Sequence, residues 1–103
     1  MSGFVLHPHA LADLSEIWRY IAVDSPTSAD RVLDEIEEAI RTLVSFPLAG
    51  HTRSELTSRP IRFHPVREYL IAYAPNEVPL LVLAVVHGRR HPRIIASLLR
   101  ERE

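Results

Sequence analysis

Leu11, Leu14, Ile17, Trp18 and Ile21 recur at intervals of three and four, the spacing that gathers side chains on one face of an α-helix. Pro8 suits the first helical position, where its missing N–H costs nothing, and "DSP" at residues 24–26 breaks the run. Ser25 can cap a second helix with Pro26 in its first position. Ala29, Val32, Leu33, Ile36, Ile40, Leu43 and Val44 then form a longer stripe, ended by Pro47. Asp30, Asp34, Glu35, Glu37 and Glu38 fall mostly between them. Two such helices with a tight break predict an antiparallel hairpin with one shared apolar face, Trp18 included.

Before the hairpin, "GFVLH" (Gly3–His7) reads as a short strand. After it, residues 47–60 carry no strong period and predict a loop, long enough to be mobile or functional. "IRFHPV" alternates Ile61 and Phe63 against Arg62 and His64, as a half-buried strand does. Pro65 places that strand at an end, a bulge or an edge. "EYLIAYA" (Glu68–Ala74) is a further strand, "PNE" a turn, and "PLLVLAVVH" (Pro79–His87) a strand apolar on both faces, hence interior. Tyr69 and Tyr73 share one strand face, either as core beneath the hairpin, which is the expectation, or as a stacking platform for nucleic acid. Past Gly88, Pro92 opens a short helix with Ile94, Ile95, Leu98 and Leu99 on one side. The order β-α-α-β-β-β-α describes an α+β domain, a helical hairpin packed on a small antiparallel sheet.

With 103 residues, 47% of them hydrophobic, the chain is expected to be a single domain over residues 1–103. It has no cysteine, so neither a disulfide nor a thiolate metal site supports it. The start lacks the pattern of a secretory leader. The longest apolar run, Leu80–Val86, falls far short of the ~20 residues that span a bilayer. A cytoplasmic protein without a membrane segment is the expectation. Charge adds an asymmetry. All twelve basic residues are arginine; residues 1–50 hold eight acidic side chains and three arginines, and residues 51–103 hold five and nine. Arginine makes planar, bidentate contacts to carboxylate or phosphate, so the second half suits an anionic partner.

That charge concentrates at "VVHGRRHPR" (Val85–Arg93), where a buried-looking strand runs into cations. Arg62 and His64 project from one strand face, and His87–Arg90 could join them in one cluster. His87 and His91 are four apart, but Gly88 and Pro92 interrupt any helix between them, and no further residues have metal-ligand spacing. No metal or cofactor is expected.

"HALADLSEIWRYIA", "SADRVLDEIEEAIRTLVSFPLAG", "PIRFHPVREYLIAY" and "LAVVHGRR", in that order and spacing, resemble the RelE/ParE superfamily of bacterial type II toxins over roughly residues 4–91. The long second helix, "FPLAG" and the late "HGRR" followed by more chain resemble its ParE-like branch. That resemblance implies an inhibitor of DNA gyrase, silenced by a small ParD-like antitoxin in a hetero-oligomer. The RelE-like branch implies instead a ribosome-dependent cut in messenger RNA, which needs groups that accept and donate protons. This chain has no lysine and its last aromatic is Tyr73; arginine is too basic to accept a proton. His64, His87 and Glu68, with Arg62 for charge, are the candidates for such a reaction. For binding of target or antitoxin the candidates are Arg62, His87, Arg89, Arg90, Leu98 and Leu99. A third alternative is a non-toxic antitoxin-binding module.

Overall fold

The computed structural model describes residues 3–102. Its elements run β1 (Phe4–Leu6), α1 (Pro8–Ala22), α2 (Pro26–Ser45), β2 (Arg62–Val66), β3 (Tyr69–Ala74), β4 (Leu80–His87) and α3 (Pro92–Glu101). Each helix begins on a proline, as the sequence predicts, and each proline follows a capping side chain. Ser25 Oγ accepts the Ser28 N–H at 3.1 Å. In "HP" at both other starts a histidine does this work: His7 Nδ1 accepts from His9 N–H at 3.0 Å, and His91 Nδ1 from Arg93 N–H at 3.1 Å. An unprotonated ring nitrogen thus fills the role usual for Ser or Asp.

The sheet order is β1-β4-β3-β2. β2, β3 and β4 form the expected antiparallel meander. β1 differs: it pairs parallel to β4, Phe4 opposite Leu80 and Leu6 opposite Val82. Nothing local marks that pairing, which joins segments about 76 positions apart.

Both sheet faces are covered, which explains why β4 is apolar throughout. On one face α1 and α2 lay Ala10, Ile17, Val32, Ile36, Ile40 and Leu43 over Tyr69, Ile71, Tyr73 and Val85. On the other, Ile95 and Leu99 of α3 and Leu56 of the long loop cover Phe63, Ala72 and Val86. A bulge falls where the register steps from Ala72–Ala84 to Tyr73–Val82, so that Leu83 and Ala84 both join the α3-side cluster. The α1 stripe is narrower than its periodicity suggests. Ala10 and Ile17 are buried, Leu11 is exposed, and Trp18 lies at the hairpin margin, 37% exposed. Its indole N–H donates to Asp30 Oδ1 at 2.8 Å, an amphipathic ring anchored by its polar end.

The loop expected to be mobile or functional is fastened at several points. Tyr73 Oη donates to Pro47 O at 2.7 Å and accepts the Gly50 N–H at 2.9 Å. Arg62 Nη1 donates to Gly50 O at 2.7 Å. A Cβ at Gly50 would lie 2.6 Å from Tyr73 Oη, so "PLAG" ends in glycine because the tyrosine occupies that space. Farther on, Arg59 Nη1 donates to Leu99 O and Arg102 O, 3.0 and 2.8 Å, a cation at the carbonyl end of α3 where the helix dipole favours it. Among the described residues, no helix is long and apolar enough to cross a membrane.

Candidate functional site

β1 reaches only to Val82 on β4, so β4 runs on from Leu83 to His87 without a strand on that side. α1 and α3 flank the gap from opposite sheet faces and leave a groove of about 1240 Å³. Val85, Val86 and His87 form its floor, Ile17 and Tyr20 one wall, Ile94 and Leu98 the other. An open strand edge leaves backbone groups unpaired, and two side chains meet that need. Asp13 Oδ2 accepts the Val85 N–H at 3.0 Å; Arg102 Nη1 donates to Leu83 O at 3.1 Å. Asp13 and Arg102 also grip each other bidentately, at 2.5 and 3.0 Å, with side chains only 13% and 9% exposed. Neither residue carries a sequence signal, since a lone aspartate on a helix and a late arginine look like surface.

At the opposite end of the groove, the His87 ring meets Tyr69 edge-on, centroids 5.5 Å apart. Its Nδ1 accepts the Arg89 N–H at 3.1 Å, so the other ring nitrogen carries the proton in the neutral form. Burial raises the Tyr69 hydroxyl pKa, and the charge of Glu68 adds to this. Arg67, Glu68 and Arg90 complete the rim. Arg67 is the first residue of a two-residue hairpin loop, with φ +52°, a left-handed conformation unusual for a side chain of this size. Glu35 of α2 holds it there through two hydrogen bonds of 2.8 and 2.7 Å. The Arg67 guanidinium in turn holds the Glu35 carboxyl below its ordinary pKa.

The sheet register separates residues that the sequence allows together. Val66, Tyr69 and His87 form one cross-strand row; Arg62, Tyr73 and Val82 form another at the far end. Arg62 therefore lies roughly 15 Å or more from His87 by strand spacing and rise, its guanidinium committed to the Gly50 carbonyl. His64 shares a row with Ile71 and Val85, two strand spacings across and two residues along from His87. Glu68 and His87 do share the groove rim, without His64 or Arg62. Leu99 is buried in the core at 1% exposure while Leu98 faces the groove. α3 finds room on the sheet, so only its Ile94–Leu98 side stays available. Arg89 and Arg90 are exposed. No cluster of three or more His, Cys, Asp or Glu able to hold a metal ion occurs among the described residues.

This assembly has counterparts. Over 93 aligned positions the chain is 31% identical to the protein named "Putative toxin Y4kP" of Sinorhizobium fredii (strain NBRC 101917 / NGR234), covering 84% of this chain and 88% of that one. A family model described as ParE toxin of type II toxin–antitoxin system, parDE, matches residues 4–92, from β1 through the arginine turn to the start of α3. The chain belongs to the ParE family of type II toxin–antitoxin toxins.

Proposed function

We propose that this chain poisons DNA gyrase by binding it, and that a ParD-like antitoxin holds it inactive in a hetero-oligomeric complex in the cytoplasm. The observation that carries the reading is the groove beside β4. It is floored largely by apolar residues and open to solvent, and of the candidates for an RNA-cleaving site it gathers only His87 and Glu68, without His64 or the Arg62 charge. A groove of that kind suits a segment of the antitoxin whose apolar side chains contact Ile17, Tyr20, Ile94 and Leu98. His87, Arg89 and Arg90 at its end are then the residues offered to acidic groups of antitoxin or target.

The test is expression of the chain with and without the product of its neighbouring small reading frame, scoring growth, DNA breaks and RNA cleavage. Arrest with gyrase-dependent DNA breaks, relieved by the neighbour, is the expected result. It should persist in folded His87→Gln and Glu68→Gln variants, since a true general acid or base contributes ~100- to 10,000-fold in rate. RNA cut by the parent and spared by either variant would transfer the rim to the nuclease reading. Binding of the neighbour without any arrest would leave an antitoxin-binding module.

A further inference from the structure

The arginines divide sharply by what they touch. Arg41, Arg53, Arg67 and Arg102 are ion-paired to carboxylates, and Arg59 and Arg62 are spent on backbone carbonyls. Arg89, Arg90, Arg93 and Arg100 are exposed, and among the described residues their guanidinium groups make no hydrogen bond or ion pair. All four fall within twelve positions, on the β4–α3 turn and α3; the two remaining arginines, Arg19 and Arg31, stand singly on α1 and α2, Arg31 within reach of the Glu35 charge. Arg93 and Arg100 are seven apart, two helical turns and ~10 Å along one face of α3.

Three of the four gain nothing for the fold from their placement; Arg100, in the last turn of α3, is the exception, since the helix dipole favours a cation there. Arg93 stands in the first turn of α3, which has no acidic residue, where the helix dipole disfavours a cation. Arg89 and Arg90 immediately precede that turn and add to the repulsion. Glu68 on the groove rim and Glu101 of α3 stand close to them, two carboxylates against four arginines, and the remaining acidic surface lies farther off. Asp34, Glu37 and Glu38 are exposed on α2, which packs on the opposite sheet face from α3. Two packed layers of ~10 Å each separate the two surfaces, more than twice the ~8 Å screening length at physiological salt. A partner meeting α3 therefore meets local positive charge, whatever the net charge of -1.

We infer that, in the chain free of antitoxin, Arg89, Arg90, Arg93 and Arg100 form a contact surface for the phosphate backbone of duplex DNA. A protein–protein interface centres on an apolar core, and the one exposed apolar residue among these arginines, Ile94, belongs to the groove wall. Phosphate binding needs no such core; it needs separated cations that displace the counterions condensed on the DNA. The contact carries no sequence information and does not depend on which enzyme the toxin poisons.

The test is fluorescence anisotropy of the full chain, purified alone, with two unrelated 20-bp duplexes at 50–200 mM KCl. Four phosphate contacts predict a log–log salt slope of about -3.6, a loss of roughly a hundredfold in affinity over that range. Each Arg→Gln change at 89, 90, 93 or 100 should reduce the slope by about one, with Arg19→Gln on α1 as the unaffected control and thermal melting to confirm folding. Both duplexes should bind alike. The proposal is overturned if neither duplex binds, if the four substitutions leave the slope intact, or if a poly-glutamate peptide binds the patch as well as DNA does. Loss of gyrase-linked breaks in cells, with this slope preserved, would fail the gyrase reading alone.

Discussion

The two long edges of the sheet are closed by different means. Along β2 the closure is main chain: His51 and Phe63 exchange N–H···O bonds of 2.9 and 2.8 Å, and Pro65 has no N–H to offer. Along the second half of β4 it is ionic, an aspartate accepting where a strand's carbonyl would and an arginine donating where its amide would. Backbone closure is indifferent to side-chain identity. Ionic closure depends on two particular residues, each of which would be a buried, unsatisfied charge without the other.

Asp13→Ala should therefore be the most damaging single change. It strands the Arg102 guanidinium and the Val85 N–H together, at a cost of about 3–5 kcal/mol, measurable by urea denaturation. Adding Arg102→Met should recover part of that loss, because the stranded charge goes too. A double variant as unstable as the sum of the singles would mean that the pair does not act as a unit.

Tyr73→Phe probes the β2 side, where the phenol ties Pro47 and Gly50. Losing both bonds in a buried place should cost about 1–3 kcal/mol. A smaller and pH-dependent effect belongs to Glu35. Its folded pKa is lowered from 4.5, chiefly by the Arg67 hydrogen bond, so its contribution is present above the ordinary glutamate range and disappears as pH falls through the lowered value. Stability measured from pH 6 downward should show this acid-side loss in the parent and not in Glu35→Gln. Smallest of all should be His51→Ala, within about 0.5 kcal/mol of the parent, since that edge uses only the backbone of residue 51. A large loss there would contradict the comparison between the edges.

The helices were legible because their signals are local. Pro8, Ser25, Pro26, Pro47 and Pro92 mark ends within a residue or two of those observed, and α2 buries most of its periodic stripe. Trp18 and Leu11 were placed too deep because periodicity gives the direction of a face, not how wide the neighbour covering it will be. The histidine caps escaped notice since imidazole is a rare capping group. Beyond that, what sequence missed is what lies far apart along the chain: Gly50 and Tyr73 by 23 positions, Asp13 and Arg102 by 89. At the site, Arg89 and Arg90 were readable from their place after an apolar strand. Arg62 looked equally free, and only the fold reveals that its charge turns inward to carbonyls.

β4 has a chronological consequence as well. It is the strand that joins β1 to the rest, yet Leu80 follows its partner Phe4 by 76 positions, a lag of roughly 4–15 s during synthesis. Until those residues leave the ribosome, β1 has no strand to pair with, Asp13 no amide to receive, and the helical hairpin only the β2–β3 ribbon to rest on. A nascent or truncated chain ending before Leu80 cannot build the groove, so each molecule becomes capable of binding only after β4 has emerged.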